Sequence, residues 1–294
     1  MTVMSTNRGT ATRKGGGSSA IFKTLPLAPF SLVFIFFFCW PIFQIIKNSI
    51  SDGKGHYNLG AYRLMFTKPY MHAFSVSLQL SFFSALSAGL IGAIIAFYVH
   101  KSSKSLQSGI AMLSGVLANS GGVPLAFMFI AAFGAQGGIV TILKKLGFDI
   151  YGHGFTLYSF SGLVLVYSFF QIPLMLLVFT PALAGMRNEW REANNSLGGS
   201  NLQFIRWVLI PVLFPAFLAS TLLLFASAFS AFATARALTG GSVALVPLVI
   251  GSLIDGNVIT DQANLGDALA VGMVVVSAIV MIFYGFSLRW ARGR

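Results

Sequence analysis

Six stretches of the chain contain no Asp, Glu, Lys or Arg: 24–46, 69–100, 105–143, 150–186, 207–235 and 268–288. About 20 apolar residues carry a helix across the hydrocarbon core of a bilayer. Each stretch is therefore long enough for one crossing, with Gly and Pro turns trimming the longer ones. The pattern predicts helices near 27–49, 73–99, 108–133, 157–182, 212–235 and 267–288. Unpaired backbone groups in lipid cost several kcal/mol each, so these spans are helices rather than open strands. The alternating apolar and polar segments of a closed barrel are absent. The predicted fold is an all-α membrane protein with about six transmembrane helices in a single domain over 27–290.

The polar interruptions carry the rest of the information. Residues 1–26 are rich in Gly, Ser, Thr and bases and hold almost nothing to bury, so they are expected to be disordered. Residues 134–156 contain six glycines and read as a loop around a short helix. In 237–256, Gly240-Gly241 precedes an apolar run too short to cross and interrupted by Pro247. It reads as a re-entrant or interfacial segment lining a cavity, where irregular backbone is tolerated. The segment 184–211 is the most organised. Glu189 and Glu192 are two of seven acids in the whole protein, and they stand three residues apart, beside Arg191. Gly198-Gly199 permits a tight turn because glycine accepts positive φ. Phe204, Ile205, Val208 and Leu209 then mark one face of a second helix, which Pro211 ends or kinks. The segment predicts a helix-turn-helix on a membrane face, built to meet another protein.

Charge orients the chain. One side collects the N-terminal bases, Lys101, Lys104, Arg187, Arg191, Arg206 and the C-terminal arginines, twelve bases against two acids. The other side has seven bases against five acids. Positive-inside bias places both termini and the 184–211 segment in the cytoplasm. The net charge of +12 follows from that bias, with contact to anionic membrane lipid, and implies no nucleic acid. The first apolar stretch is too long for a cleavable signal and no A-x-A site follows it, so it is expected to stay as an anchor. The single cysteine, Cys39, lies within it and reads as a small buried apolar side chain.

No G-x-x-x-x-G-K-[ST] occurs, so no nucleotide site is expected in this chain. Four scattered histidines and one cysteine offer no metal site. Acids are nearly lacking inside the spans, which argues against an ion-coupled carrier; only Arg236 and Asp267, at span ends, are candidates for a charged pathway or gate.

The spacing in the polar segment carries a resemblance. Glu192-Ala193-Asn194, three residues, Gly198, nine residues, Val208, one residue and Ile210-Pro211 resembles the EAA signature of bacterial binding-protein-dependent ABC-importer permeases, with no gap. Asn194 departs from the signature's second Ala and puts an amide on the helix. The resemblance implies the type I permease fold and a non-catalytic subunit of a bacterial inner-membrane importer. It implies separate ATPase subunits that bind ATP and Mg, a second permease, identical or homologous, and an extracytoplasmic solute-binding protein. It assigns ATPase coupling to Glu192, Ala193 and Gly198, flanked by Arg191 and Glu189. Arg236, Gly240, Gly241, Pro247 and Asp267 become candidates for the pathway or gate. Ala237-Leu238-Thr239-Gly240-Gly241 and Asn58-Leu59-Gly60-Ala61-Tyr62 look like the spermidine/putrescine branch, although iron, sulfate, phosphonate and thiamine permeases share much of this pattern. The rival reading is an ion-coupled secondary transporter that works alone.

Overall fold

The computed structural model describes residues 28–51, 56–255 and 263–292. The N-terminal segment 1–26 lies outside the described residues, so the expectation of disorder is not addressed there. The chain divides into two compact units, Met1–Lys47 and Asn48–Arg294. Among the described residues, six helices are long and apolar enough to cross a membrane, and the β pairing is a single isolated bridge between Ser51 and Tyr57.

The first of these helices, α1 (Pro29–Ser49), contains a π-helical turn at Ile35–Cys39, closed by the Trp40 N–H on the Ile35 carbonyl. Pro41 follows directly. A proline in a regular helix clashes with the carbonyl four residues back, and a widened turn moves that carbonyl aside. Cys39 is exposed, against the buried role expected for it, because no residue from Pro29 to Phe43 is buried.

The second unit is a helical bundle. After the short α2 (Gly60–Met65) come α3 (Lys68–His100), α4 (Lys104–Asn119), α5 (Val123–Phe133) and α6 (Gly138–Lys145). Then follow α7 (Phe160–Ala184), α8 (Asn188–Ser196), α9 (Asn201–Phe229), α10 (Ala233–Thr239), α11 (Val246–Ile254) and α12 (Ala263–Arg292). Helices α3 and α7 form its spine. Gly92 permits their close approach: a Cβ there would lie 2.7 Å from the Met175 Cβ and 3.3 Å from the Ile172 carbonyl oxygen. Gly115, by contrast, faces open space. One core surrounds Tyr167 and joins α3, α5, α7, α10 and α11. A second joins α3, α7 and α9 around Met175 and Leu224. A third seats α11 and the start of α12 against Phe74 and Phe229.

Two boundaries differ from the apolar pattern. The stretch expected as one span over 108–133 is two helices, α4 and α5, and the segment able to cross runs Val123–Lys145. The break at Ser120–Gly122 has Gly122 at φ 92° with Pro124 in the next turn. The span expected at 212–235 starts earlier, at Asn201, and stops at Phe229. Arg236 is thus on the separate helix α10, not on the end of the fifth span.

Candidate coupling site and pathway

Helix α8 projects from the end of α7 with most of its surface open: among residues 189–196 none is buried, and only Trp190 and Asn194 are partly covered. Glu189 occupies its first turn, where a carboxylate suits the positive helix end. It also holds the Arg187 Nε at 3.1 Å. Both side chains are about two-thirds exposed, so the pair contributes at most about 1 kcal/mol. Glu192 and Arg191 are exposed and have no ion pair among the described residues. Ala193, also exposed, leaves a flat patch beside them.

The turn after α8 is rigid. Gly198 adopts φ 72°, a conformation costing a side-chain-bearing residue about 1–2 kcal/mol. Asn194 does not face outward as a docking amide. Its Nδ2 donates to the Gly199 carbonyl at 3.0 Å, while the Gly199 N–H donates to the Asn194 carbonyl at 2.8 Å. Ser200 and Gln203 then form a reciprocal capping box at the start of α9, with the Ser200 N–H on Gln203 Oε1 at 2.7 Å. The Ser-x-x-Gln spacing was a legible signal for that cap and went unused. Leu197 and Leu202 flank the turn at 87% and 75% exposure, apolar side chains left without cover.

Pro211 neither ends nor separates the second helix. The chain runs from Asn201 through a π-helical turn at Ile205–Leu209 straight into the fifth span, and the Ile210 N–H closes on the Ile205 carbonyl. The turn precedes Pro211 as the turn in α1 precedes Pro41. The 184–211 segment is therefore one short, largely exposed helix, a capped turn, and the extended foot of α9.

The pathway candidates gather in part. Helices α10 and α11, seven and nine residues long, make a hairpin too short to cross, as expected of 237–256. Gly240 and Gly241 form its turn at φ 59° and 100°. Pro247 lies in the first turn of α11, and the Val246 N–H donates to the Ser77 hydroxyl at 2.9 Å. Arg236 meets Asp255, with Nη2 and Oδ2 3.9 Å apart, closing the hairpin by charge. Asp267 is not in this group. It is half-buried at the start of α12 and hydrogen-bonds the Asn48 side chain.

The two breaks are tied together. The Gly122 N–H donates to Thr234 Oγ1 at 2.8 Å, and Tyr167 donates its hydroxyl proton to the Ala231 carbonyl at 2.8 Å. Each bond satisfies a backbone group that a broken helix leaves open inside the membrane. Buried Ser84 accepts from Gln171 Nε2 at 3.2 Å, while Gln171 Oε1 has no partner among the described residues. None of these pairings has a sequence signature.

An exposed, turn-locked helix with the EAA spacing, set between two long apolar helices, is joined by similarity over most of the chain. A probable sulfate transport permease of Chlorella vulgaris is 25% identical over 222 residues, 74% of this chain and 76% of that one. A spermidine/putrescine transport permease of Haemophilus influenzae is 24% identical over 250 residues, 82% of this chain and 88% of that one. Over most of its length the chain is similar to ABC-importer permeases. No protein-family model matches it. The chain shares its fold with the crystal structure of a bacterial ABC transporter involved in import of the acidic polysaccharide alginate. The TM-score is 0.68 at 14% identity, over 93% of this chain and 97% of that one.

Proposed function

We propose that this permease forms half of the translocation pathway of an ATP-driven importer in a bacterial inner membrane, with α8 as its coupling helix. The observation that carries this reading is the bare α8. It is held by Asn194, Gly198 and the Ser200–Gln203 box, yet Arg191, Glu192 and Ala193 on it are exposed among the described residues. Such a helix offers small and charged residues to a groove on another protein, the mode in which amphipathic helices dock. Arg191 and Glu192, unpaired here, orient that contact; Ala193 allows close approach; Glu189 fixes the N-terminal end. Separate ATPase subunits bind ATP and Mg, a second permease completes the path, and an extracytoplasmic binding protein delivers the solute. Both termini and α8 face the cytoplasm.

The solute reading is a polyamine of the spermidine/putrescine type, supported by relatives covering 82% of this chain. A specific observation favours a second reading, a small oxyanion such as sulfate. A probable sulfate transport permease matches 74% of this chain, and the charge-bearing hairpin carries Arg236 just before the Gly240–Gly241 turn. Uptake of labelled spermidine and labelled sulfate by cells expressing the whole transporter separates the two.

The coupling role is tested with Glu192→Ala in the intact complex. Uptake is expected to fall at least about tenfold, while the complex still assembles and its ATPase loses stimulation by the loaded binding protein. Wild-type uptake by this variant would sink the assignment of α8.

A further inference from the structure

We infer that the permease carries a binding site for an anionic phospholipid where α3, α8 and the foot of α9 meet, a site that rests on this end of the bundle lying at the cytoplasmic leaflet. A cavity of about 430 Å³ opens there. Its polar wall is made by His100, Lys101, Arg187, Arg191 and Asn201, and no acid lines it. Lys101, Arg187 and Arg191 are three cations around one cavity, and they repel each other unless an anion sits among them. Among the described residues, only Arg187 of these has a counter-charge, from the exposed Glu189.

Phe97, Ile205 and Leu209 line this cavity and also line a second one. That second cavity, about 480 Å³, is an apolar groove running up α3, α7 and α9 past Ile94, Leu213 and Phe217, with no charged side chain on its walls. Lys101 joins the two: its Nζ sits 4.0 Å over the centre of the Phe97 ring. A basic chamber that continues into an apolar trough matches a phosphate headgroup with an acyl chain attached. A free phosphate leaves the trough unused, and a zwitterionic lipid leaves the bases without a net anion. Basic pockets between spans at the cytoplasmic side select anionic headgroups in this way.

The test uses the full transporter, purified with its partner subunits and reconstituted in phosphatidylcholine with a minority of phosphatidylglycerol. Lipid retained through detergent exchange is counted by native mass spectrometry. Wild type is expected to retain phosphatidylglycerol over phosphatidylcholine. Lys101→Gln with Arg191→Gln is expected to lower that retention about tenfold, while Lys104→Gln with Arg289→Gln, which removes two bases outside the cavity, leaves it unchanged. Ile94→Trp, which fills the trough and touches no base, is expected to weaken lipid retention as well. Soluble glycerophosphate is the arm for a free anion: binding as tight as the lipid's, and indifferent to Ile94→Trp, would overturn the lipid assignment. Equal retention in the two double variants overturns it too, as does a wild type holding both lipids alike, the outcome expected if α1 or a second permease fills the trough. Lys101→Gln alone serves if the double variant does not assemble. Retained lipid is counted without reference to uptake, so loss of this site and loss of the α8 coupling role are distinguishable.

Discussion

At the residue scale, the turn between α8 and α9 depends on two residue choices. Gly198 sits at φ 72° with open space around its Cβ position, so Gly198→Val is strained by backbone conformation and not by crowding. The variant is expected to lose about 1–2 kcal/mol locally, and more of its uptake than of its expression, because the strain falls where α8 is aimed. Gly198→Ala is expected to be milder, and a β-branched variant with full uptake would count against a rigid turn. Asn194 was legible in the sequence only as a departure from the signature. Its amide closes the turn on Gly199, so Asn194→Ala, which restores the signature residue, is expected to loosen the turn by about 1 kcal/mol rather than improve docking. Faster hydrogen exchange at the Gly199 amide is the measurement. In the loop after α6, Asp149 accepts the Gly152 N–H at 3.0 Å and faces Lys144 at 3.5 Å. The Gly152 bond, opposed next by desolvation and assisted by Lys144, holds its carboxyl below the ordinary range. A depressed carboxylate supports the fold above its unfolded pKa and loses that support as pH falls through the folded value. Acid pH is therefore expected to loosen this turn in wild type and not in Asp149→Asn, as read by exchange at the Gly152 amide.

At the element scale, helix existence was plain from the charge-free stretches, and helix ends were not. The apolar pattern reports which residues tolerate lipid, and both α4 and α5 do, so a break between them leaves no mark on hydropathy. What stops the helix at Ser120–Gly122 is a glycine backbone at φ 92° held by Thr234, more than a hundred residues away. The same holds at Ser230–Phe232, where Tyr167 takes the Ala231 carbonyl. Tyr167→Phe keeps the ring and removes that bond, leaving a carbonyl unsatisfied in a buried site; Thr234→Val does the same to the Gly122 N–H. Each is expected to cost about 1–3 kcal/mol. In thermal unfolding of the purified complex, the midpoint should fall by several degrees for each. The pair should be less than additive, because both bonds brace α10. Additive losses would mean that the two breaks are independent. Proline placement was read correctly as a disturbance and wrongly as an end: at Pro211 the helix widens into a π turn and continues, joining the turn at Ser200 to the fifth span as one lever.

At the scale of the whole molecule, charge asymmetry gave an orientation that no local contact supplies. The EAA spacing matters because it coincides with that asymmetry and with a helix whose Arg191, Glu192 and Ala193 are exposed. Orientation and partner cover can be read in one experiment. In a Cys39→Ser background, Leu197→Cys places a thiol beside the coupling turn, and Phe148→Cys places one in the loop after α6. Leu197 and Phe148 are 87% and 68% exposed. Positive-inside topology puts them on opposite faces. A membrane-impermeant thiol reagent is expected to label Phe148→Cys in intact cells and to reach Leu197→Cys only after permeabilisation. If α8 docks on an ATPase, labelling of Leu197→Cys should rise again when the ATPase subunits are stripped from the membrane, because the docked partner covers an apolar side chain that the permease leaves bare. Labelling of Leu197→Cys in intact cells would reverse the topology and remove α8 from the compartment where ATP is available. Labelling indifferent to stripping would leave the orientation standing and place the ATPase contact elsewhere on the cytoplasmic face.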